Sequence, residues 1–169
     1  MLAYCGKRFK PALIAYRSKP TFAINEAKNK LTFLRREALT GKEILMDDTR
    51  RKDNEYVSLV ATSLLDELCE ETKTFTYKWI DVPGENQETY SLWNNETGVY
   101  GVGKTKVEAI EDLIDNIIDY ANVYFEDLPY YLSTSGDNRT HYWYLRRVMR
   151  CNRNREILCN ALAVEGLKD

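Results

Sequence analysis

The chain has 169 residues, is 44% apolar and 30% charged, and carries a formal net charge of −2. That length suits one domain or two small ones, and the composition is that of an ordinary soluble protein, with no global field pointing to nucleic acid. Cys5, Cys69, Cys151 and Cys159 show no C-x-x-C spacing and only one histidine accompanies them, which argues against a structural zinc site and predicts reduced thiols.

Residues 1–19 form a basic extension, with Lys7, Arg8, Lys10, Arg17 and Lys19 and no acid. Its uncharged stretch, Pro11 to Tyr16, is too short for a signal-peptide core or a membrane span, so a cytoplasmic protein without membrane contact is expected. Thr21 to Ile24 reads as a short extended run. Asn25 is placed to cap a helix through about Thr40, closed by Gly41. Lys42 to Met46 reads as a strand, Asp47 to Asn54 as a polar turn, and Glu55 to Val60 as the return strand of a hairpin. Thr62 or Ser63 caps a short helix, where Ser63-x-x-Asp66 has the form of a capping box.

A second pattern begins at about residue 73. Phe75, Tyr77 and Trp79 alternate with polar residues, as in a half-buried strand. Strands are expected at Glu88 to Trp93 and Val99 to Val102, separated by the turn Asn94 to Gly98. Thr105-x-x-Glu108 is a capping box, and Val107, Ile110, Leu113, Ile114, Ile117, Ile118 and Ala121 follow at the period of an amphipathic helix. Leu128-Pro129 breaks that pattern, and Thr140 to Met149 and Arg155 to Leu162 read as two further helices. The domains are therefore expected at 20–72 and 73–169, after the extension 1–19.

One motif invites a different function. Gly98 to Thr105 (GVYGVGKT) fits G-x-x-x-x-G-K-[ST], the phosphate-cradling loop of nucleotide hydrolases, with Gly103, Lys104 and Thr105 as its nucleotide-binding residues. A working loop needs a buried strand before it and a downstream strand ending in Asp for magnesium. Here Asn94 to Thr97 precede it, and an acidic helix and an Arg-rich helix follow. A turn followed by a helix cap accounts for the same letters, and nucleotide or small-ligand binding is kept as the alternative reading.

The charges suggest two other surfaces. On the first helix Ile24, Ala27, Leu31, Leu34 and Ala38 form an apolar stripe, a core or a dimer seam, while Asn25, Lys28, Thr32, Arg35 and Arg36 occupy a separate face suited to phosphates and base edges. Arg50, Arg51 and Lys52 add to the positive charge. Near the C-terminus, Tyr142, Trp143, Arg146, Arg147 and Arg150 form an aromatic–basic group. It could grip a partner's acids or RNA, or pair with the acidic helix Glu108 to Asp119. His141 has no matched nucleophile, and no catalytic residues, metal ligands or cofactor are predicted.

Ala23 to Leu31 followed by Gly41 to Met46 resembles the N-terminal domain of Phd/YefM-type antitoxins, with Glu26, Ala27 and Leu31 matching its helix motif and Lys28 standing where arginine is usual. Gly103 to Leu113 is similar to the stretch that opens the helix of HicB-like antitoxin domains. The resemblance implies an α+β fold: an N-terminal Phd/YefM-like dimerisation and DNA-binding domain, then a small antiparallel sheet packed on helices. It also implies a homodimer that binds operator DNA in its own promoter as an autorepressor and neutralises a cognate toxin through its C-terminal domain.

Overall fold

A computed structural model describes residues 21–47, 56–80, 89–133, 137–152 and 154–167. It is an α+β protein with two three-stranded sheets and seven α-helices among those residues. The chain divides into two compact units, one ending at Leu65 and one beginning at Asp66.

In the first unit, β1 (Thr21–Ala23) leads into α1 (Ile24–Asn29) and α2 (Leu31–Leu39), followed by β2 (Ile44–Asp47) and β3 (Tyr56–Leu59). The sheet order is β1-β2-β3; β1 runs parallel to β2, and β2 pairs antiparallel with β3 as Ile44↔Leu59 to Asp47↔Tyr56. The helical run is interrupted at Lys30, whose φ of −110° and ψ of 13° separate α1 from α2. Asn25 lies inside the first turn rather than at the cap, which is Ala23; its side chain accepts from the Glu26 N–H. Gly41 turns the chain out of α2 at φ +85°, a conformation that costs a residue with a Cβ. The core is small: Ala27, Leu34, Ala38 and Ile44, with Phe22, Met46 and Leu59 packed around them.

Helix α3 (Thr62–Thr72) carries the division between the units. In the second unit, β4 (Tyr77–Ile80), β5 (Tyr90–Asn94) and β6 (Tyr100–Gly103) form an antiparallel meander. The 21-residue α4 (Lys106–Glu126) lies on it, followed by α5 (Leu128–Ser133), α6 (His141–Arg150) and α7 (Arg155–Leu162). The period-3.6 pattern of α4 is borne out from Ile110 on by burial of Ile110, Leu113, Ile114, Ile117 and Ala121, which meet Phe75 and Leu92 from the sheet side and Leu145, Val148, Leu158 and Leu162 from α6 and α7, with Ile118 partly buried; Val107, placed on the same stripe, is 49% exposed. No described helix is long and apolar enough to cross a membrane.

The turn between β5 and β6 is a closed polar unit. Asn94 is fully buried, and its Oδ1 accepts from the backbone and hydroxyl of Thr97. Glu96 takes the Thr76 N–H and hydroxyl and the Asn94 amide, so each buried donor has an acceptor.

Candidate functional site

On α1 and α2 the apolar stripe splits. Ala27, Leu34 and Ala38 are buried, whereas Ile24 and Leu31 remain 49% and 56% exposed. Asn25, Lys28, Thr32, Arg35 and Arg36 are all exposed. The structure also sorts the cations. Lys30 is paired with Glu26 at 2.8 Å and Lys42 with Glu37 at 2.6 Å. Lys28, Arg35 and Arg36 have no ion pair among the described residues. Their field is therefore uncompensated locally and available to an anionic surface. Arg50, Arg51 and Lys52, like the basic residues of 1–19, lie outside the described residues.

The aromatic–basic group on α6 is largely engaged within its own unit. Tyr142 is half-buried and meets the edge of Phe125 at 5.5 Å between ring centroids; Trp143 lies beside it and is 39% exposed. Arg146 Nη1 is 2.5 Å from Asp66 Oδ1, and Arg150 reaches the other oxygen of that carboxylate at 3.1 Å. Arg147 donates to the Lys73 carbonyl and lies over the Phe75 ring. The arginines thus choose Asp66 of α3, not the acidic helix. Arg155 makes that pairing instead, with Glu111 and with Asp115, the latter at 2.6 Å. Asp66 is the residue that sequence reasoning missed. Its only local signal was the capping-box spacing, and its partners stand 80 and 84 positions along the chain.

His141 is buried, with Nδ1 2.8 Å from the Tyr120 hydroxyl. Burial, reinforced by Tyr131 and Tyr124, pushes the Tyr120 phenol up to about 12. Burial likewise raises Tyr77, whose hydroxyl donates to the Leu162 carbonyl at 2.7 Å, and raises the Cys151 thiol. The two phenols and the thiol stay neutral; Tyr77 ties β4 to the end of α7, and Tyr120 ties α4 to α6.

The GVYGVGKT loop is built as a strand-to-helix junction. Thr105 caps α4 by accepting from the Glu108 N–H at 3.1 Å, and Glu108 returns by accepting from the Lys104 N–H at 2.7 Å. Asp112 accepts from the Val102 N–H at 2.8 Å. Two carboxylates therefore occupy amides that a phosphate would need, and their charge repels one. At Gly101 and Gly103 the space beside the backbone is filled by α4 itself.

The family model of the PHD-like antitoxins of RelE/RelB toxin–antitoxin systems matches residues 19–162, which span both units. The chain belongs to this family. The protein is thus an antitoxin, of a family that is not one of enzymes, and it implies a cognate toxin as partner. The antitoxin is also similar to a crystal structure from Syntrophomonas wolfei subsp. wolfei, that of the antitoxin part of a candidate toxin/antitoxin system. The TM-score is 0.64 at 15% identity, over 82% of this chain and 93% of that one. At that identity the likeness is one of fold. No curated protein matches the antitoxin.

Proposed function

We propose that the antitoxin is a dimeric, cytoplasmic autorepressor whose N-terminal part, 20–72, binds operator DNA in the manner of Phd/YefM-type domains. Its second part, 73–169, of HicB-like β-then-α construction, neutralises the cognate toxin. The observation that carries the DNA-binding half is that Lys28 on α1 and Arg35 and Arg36 on α2 are exposed and left without acids while Lys30 and Lys42 are paired. Asn25 on α1 and Thr32 on α2 are exposed as well and supply short hydrogen-bonding side chains suited to base edges.

One short helix makes too few contacts to select an operator. A two-fold dimer doubles them and matches a palindromic site. Ile24 and Leu31, half-exposed beside the buried part of their own stripe, provide an apolar seam for such a dimer. If each protomer neutralises about three phosphates, log K falls against log salt with a slope of about −5.

A mobility-shift titration on the DNA upstream of the antitoxin's own gene tests this reading. The wild-type chain is expected to bind that DNA well above random DNA. Lys28→Glu combined with Arg35→Glu is expected to weaken binding by at least about tenfold. Binding of the upstream DNA no tighter than random DNA would sink the repressor function.

A further inference from the structure

The two edges of the second unit's sheet are finished differently. The Asn94 N–H donates to the Val99 carbonyl at 2.8 Å, and the Asn95 N–H donates to the Thr76 carbonyl at 3.0 Å. In an antiparallel ladder the backbone groups of successive residues point alternately to the two sides of the strand. With the registers Tyr77↔Asn94 and Leu92↔Gly101, Tyr77 and Trp79 of β4 and Tyr100 and Val102 of β6 therefore turn their N–H and C=O groups away from β5.

On β6 that edge is covered by α4. Asp112 accepts from the Val102 N–H at 2.8 Å, and the Asn116 side-chain amide donates to the Tyr100 carbonyl at 3.0 Å. β4 is the other edge strand and has no such cover: among the described residues nothing bonds to the backbone of Tyr77 or Trp79. An open row of this kind is a template for a further strand.

The side chains say which strand fits. Leu92 and Gly101 face α4, so Trp79, opposite Leu92, faces it too, and Lys78, Ile80, Trp93 and Tyr100 lie on the other face. Lys78 is exposed and Ile80 is 42% exposed. Among the described residues that face carries Lys78 and no acid, and Lys78 makes no ion pair there. A carboxylate directly across from Lys78 is favourable, whereas a like charge is not. That disfavours a second copy of the chain: the two-fold pairing that uses all four residues of β4 sets Lys78 opposite Lys78 of the other copy. The Trp93 and Tyr100 rings, stacked at 6.1 Å, could carry a base, but the second unit has 19 acidic residues against 11 basic ones, a poor field for a phosphodiester chain.

We propose that β4 receives an extended segment of the cognate toxin as a fourth strand of this sheet. The segment's backbone pairs with Tyr77 and Trp79, an Asp or Glu of the segment stands opposite Lys78, and an apolar residue on the same face lies against Ile80. The proposal rests on the reading that the second unit neutralises the toxin, and it names the edge and the chemistry of that contact.

Amide hydrogen exchange, read by NMR on the isotope-labelled full-length antitoxin with and without the purified product of the adjacent toxin gene, tests it. In the free chain the Tyr77 and Trp79 amides are expected to exchange fast and the Val102 amide slowly. Saturation with toxin is expected to slow Tyr77 and Trp79 by at least about tenfold. In calorimetric titration Lys78→Glu is expected to raise the toxin Kd about fivefold. Its thermal midpoint and operator affinity are expected to hold, because Lys78 is exposed. The exchange measurement uses the wild type, so it decides even if Lys78→Glu fails to fold. A complex in which both amides exchange as in the free chain, or a Lys78→Glu affinity within about twofold of the wild type, overturns the added strand and leaves neutralisation standing. A wild-type chain that does not bind the toxin overturns both. Protection that appears in the antitoxin alone as its concentration rises makes the occupant a second copy, and protection by single-stranded RNA but not by toxin makes it a nucleic acid; either result sinks the proposal.

Discussion

At Gly101 an added Cβ would stand 2.2 Å from the Leu113 amide nitrogen and 2.3 Å from the Ala109 carbonyl oxygen. Both are backbone atoms in the first half of α4, so no rotamer change relieves the clash, and strand and helix must separate. Gly98 differs. It adopts φ +70°, but a Cβ there would meet only the Trp93 ring at 3.6 Å, an ordinary contact. Gly101→Ala is expected to destabilise the second unit by about 3 kcal/mol through overpacking. Gly98→Ala is expected to cost only about 1–2 kcal/mol, that of left-handed backbone. Urea midpoints of the two variants check the order, and a Gly101→Ala chain as stable as Gly98→Ala would show that α4 does not pack this closely.

At the scale of elements, what was legible followed from local chemistry. The Thr105–Glu108 capping box and the stripe from Ile110 to Ala121 gave α4 its start and its buried face, because caps and the 3.6 period are read within a few residues. The last predicted helix, Arg155 to Leu162, is the observed one, begun by Asn154 accepting from the Ile157 N–H. The break at Lys30 was not legible: Asn25 to Thr40 contains neither glycine nor proline, and the first-turn role of Asn25 depends on β1 feeding straight into α1. Nor was the choice of Asp66 by Arg146 and Arg150, since the net charges of α3 and α4 both invite arginines and only the fold selects between them. The same holds for His141, which shows no pattern in sequence but ties α6 to α4 through Tyr120.

That tie has a pH dependence. Tyr120 titrates near 10 in the unfolded chain and at about 12 in the fold, and Tyr77 is raised as well. The folded state therefore retains protons that the unfolded chain releases. The stabilisation from these phenols is complete below about pH 10 and is lost as pH rises toward about 12. Urea midpoints are expected to fall across that window, with phenolate absorbance from the buried tyrosines rising only as the chain unfolds. A midpoint that stays flat, or early titration of every tyrosine, would show that Tyr77 and Tyr120 are open to solvent.

For the whole molecule the two units differ in self-sufficiency. The second has a core running from Phe75 to Val164, with α4 buried between sheet and helices. The first buries Ala27, Leu34, Ala38, Ile44, Leu45 and Ala61 while leaving Ile24, Leu31, Phe33, Leu39, Tyr56 and Val57 substantially exposed. So small a core supplies little of the burial that an independent domain needs, and the usual remedy is a partner surface. A second copy contributing the same apolar residues would make folding of the first unit concentration-dependent, because association favours the folded state by mass action. A hundredfold rise in protein concentration above the dimer Kd is then expected to stabilise the first unit by about 2.7 kcal/mol and to leave the second unit's transition in place. Leu31→Asp, at an exposed position, is expected to remove that concentration dependence and weaken operator binding together, without moving the second transition. Differential scanning calorimetry over a concentration series, with sedimentation of the same samples, measures each of these. Two concentration-independent transitions from a chain that sediments as a monomer would mean that the half-exposed apolar residues of α1 and α2 are not a seam.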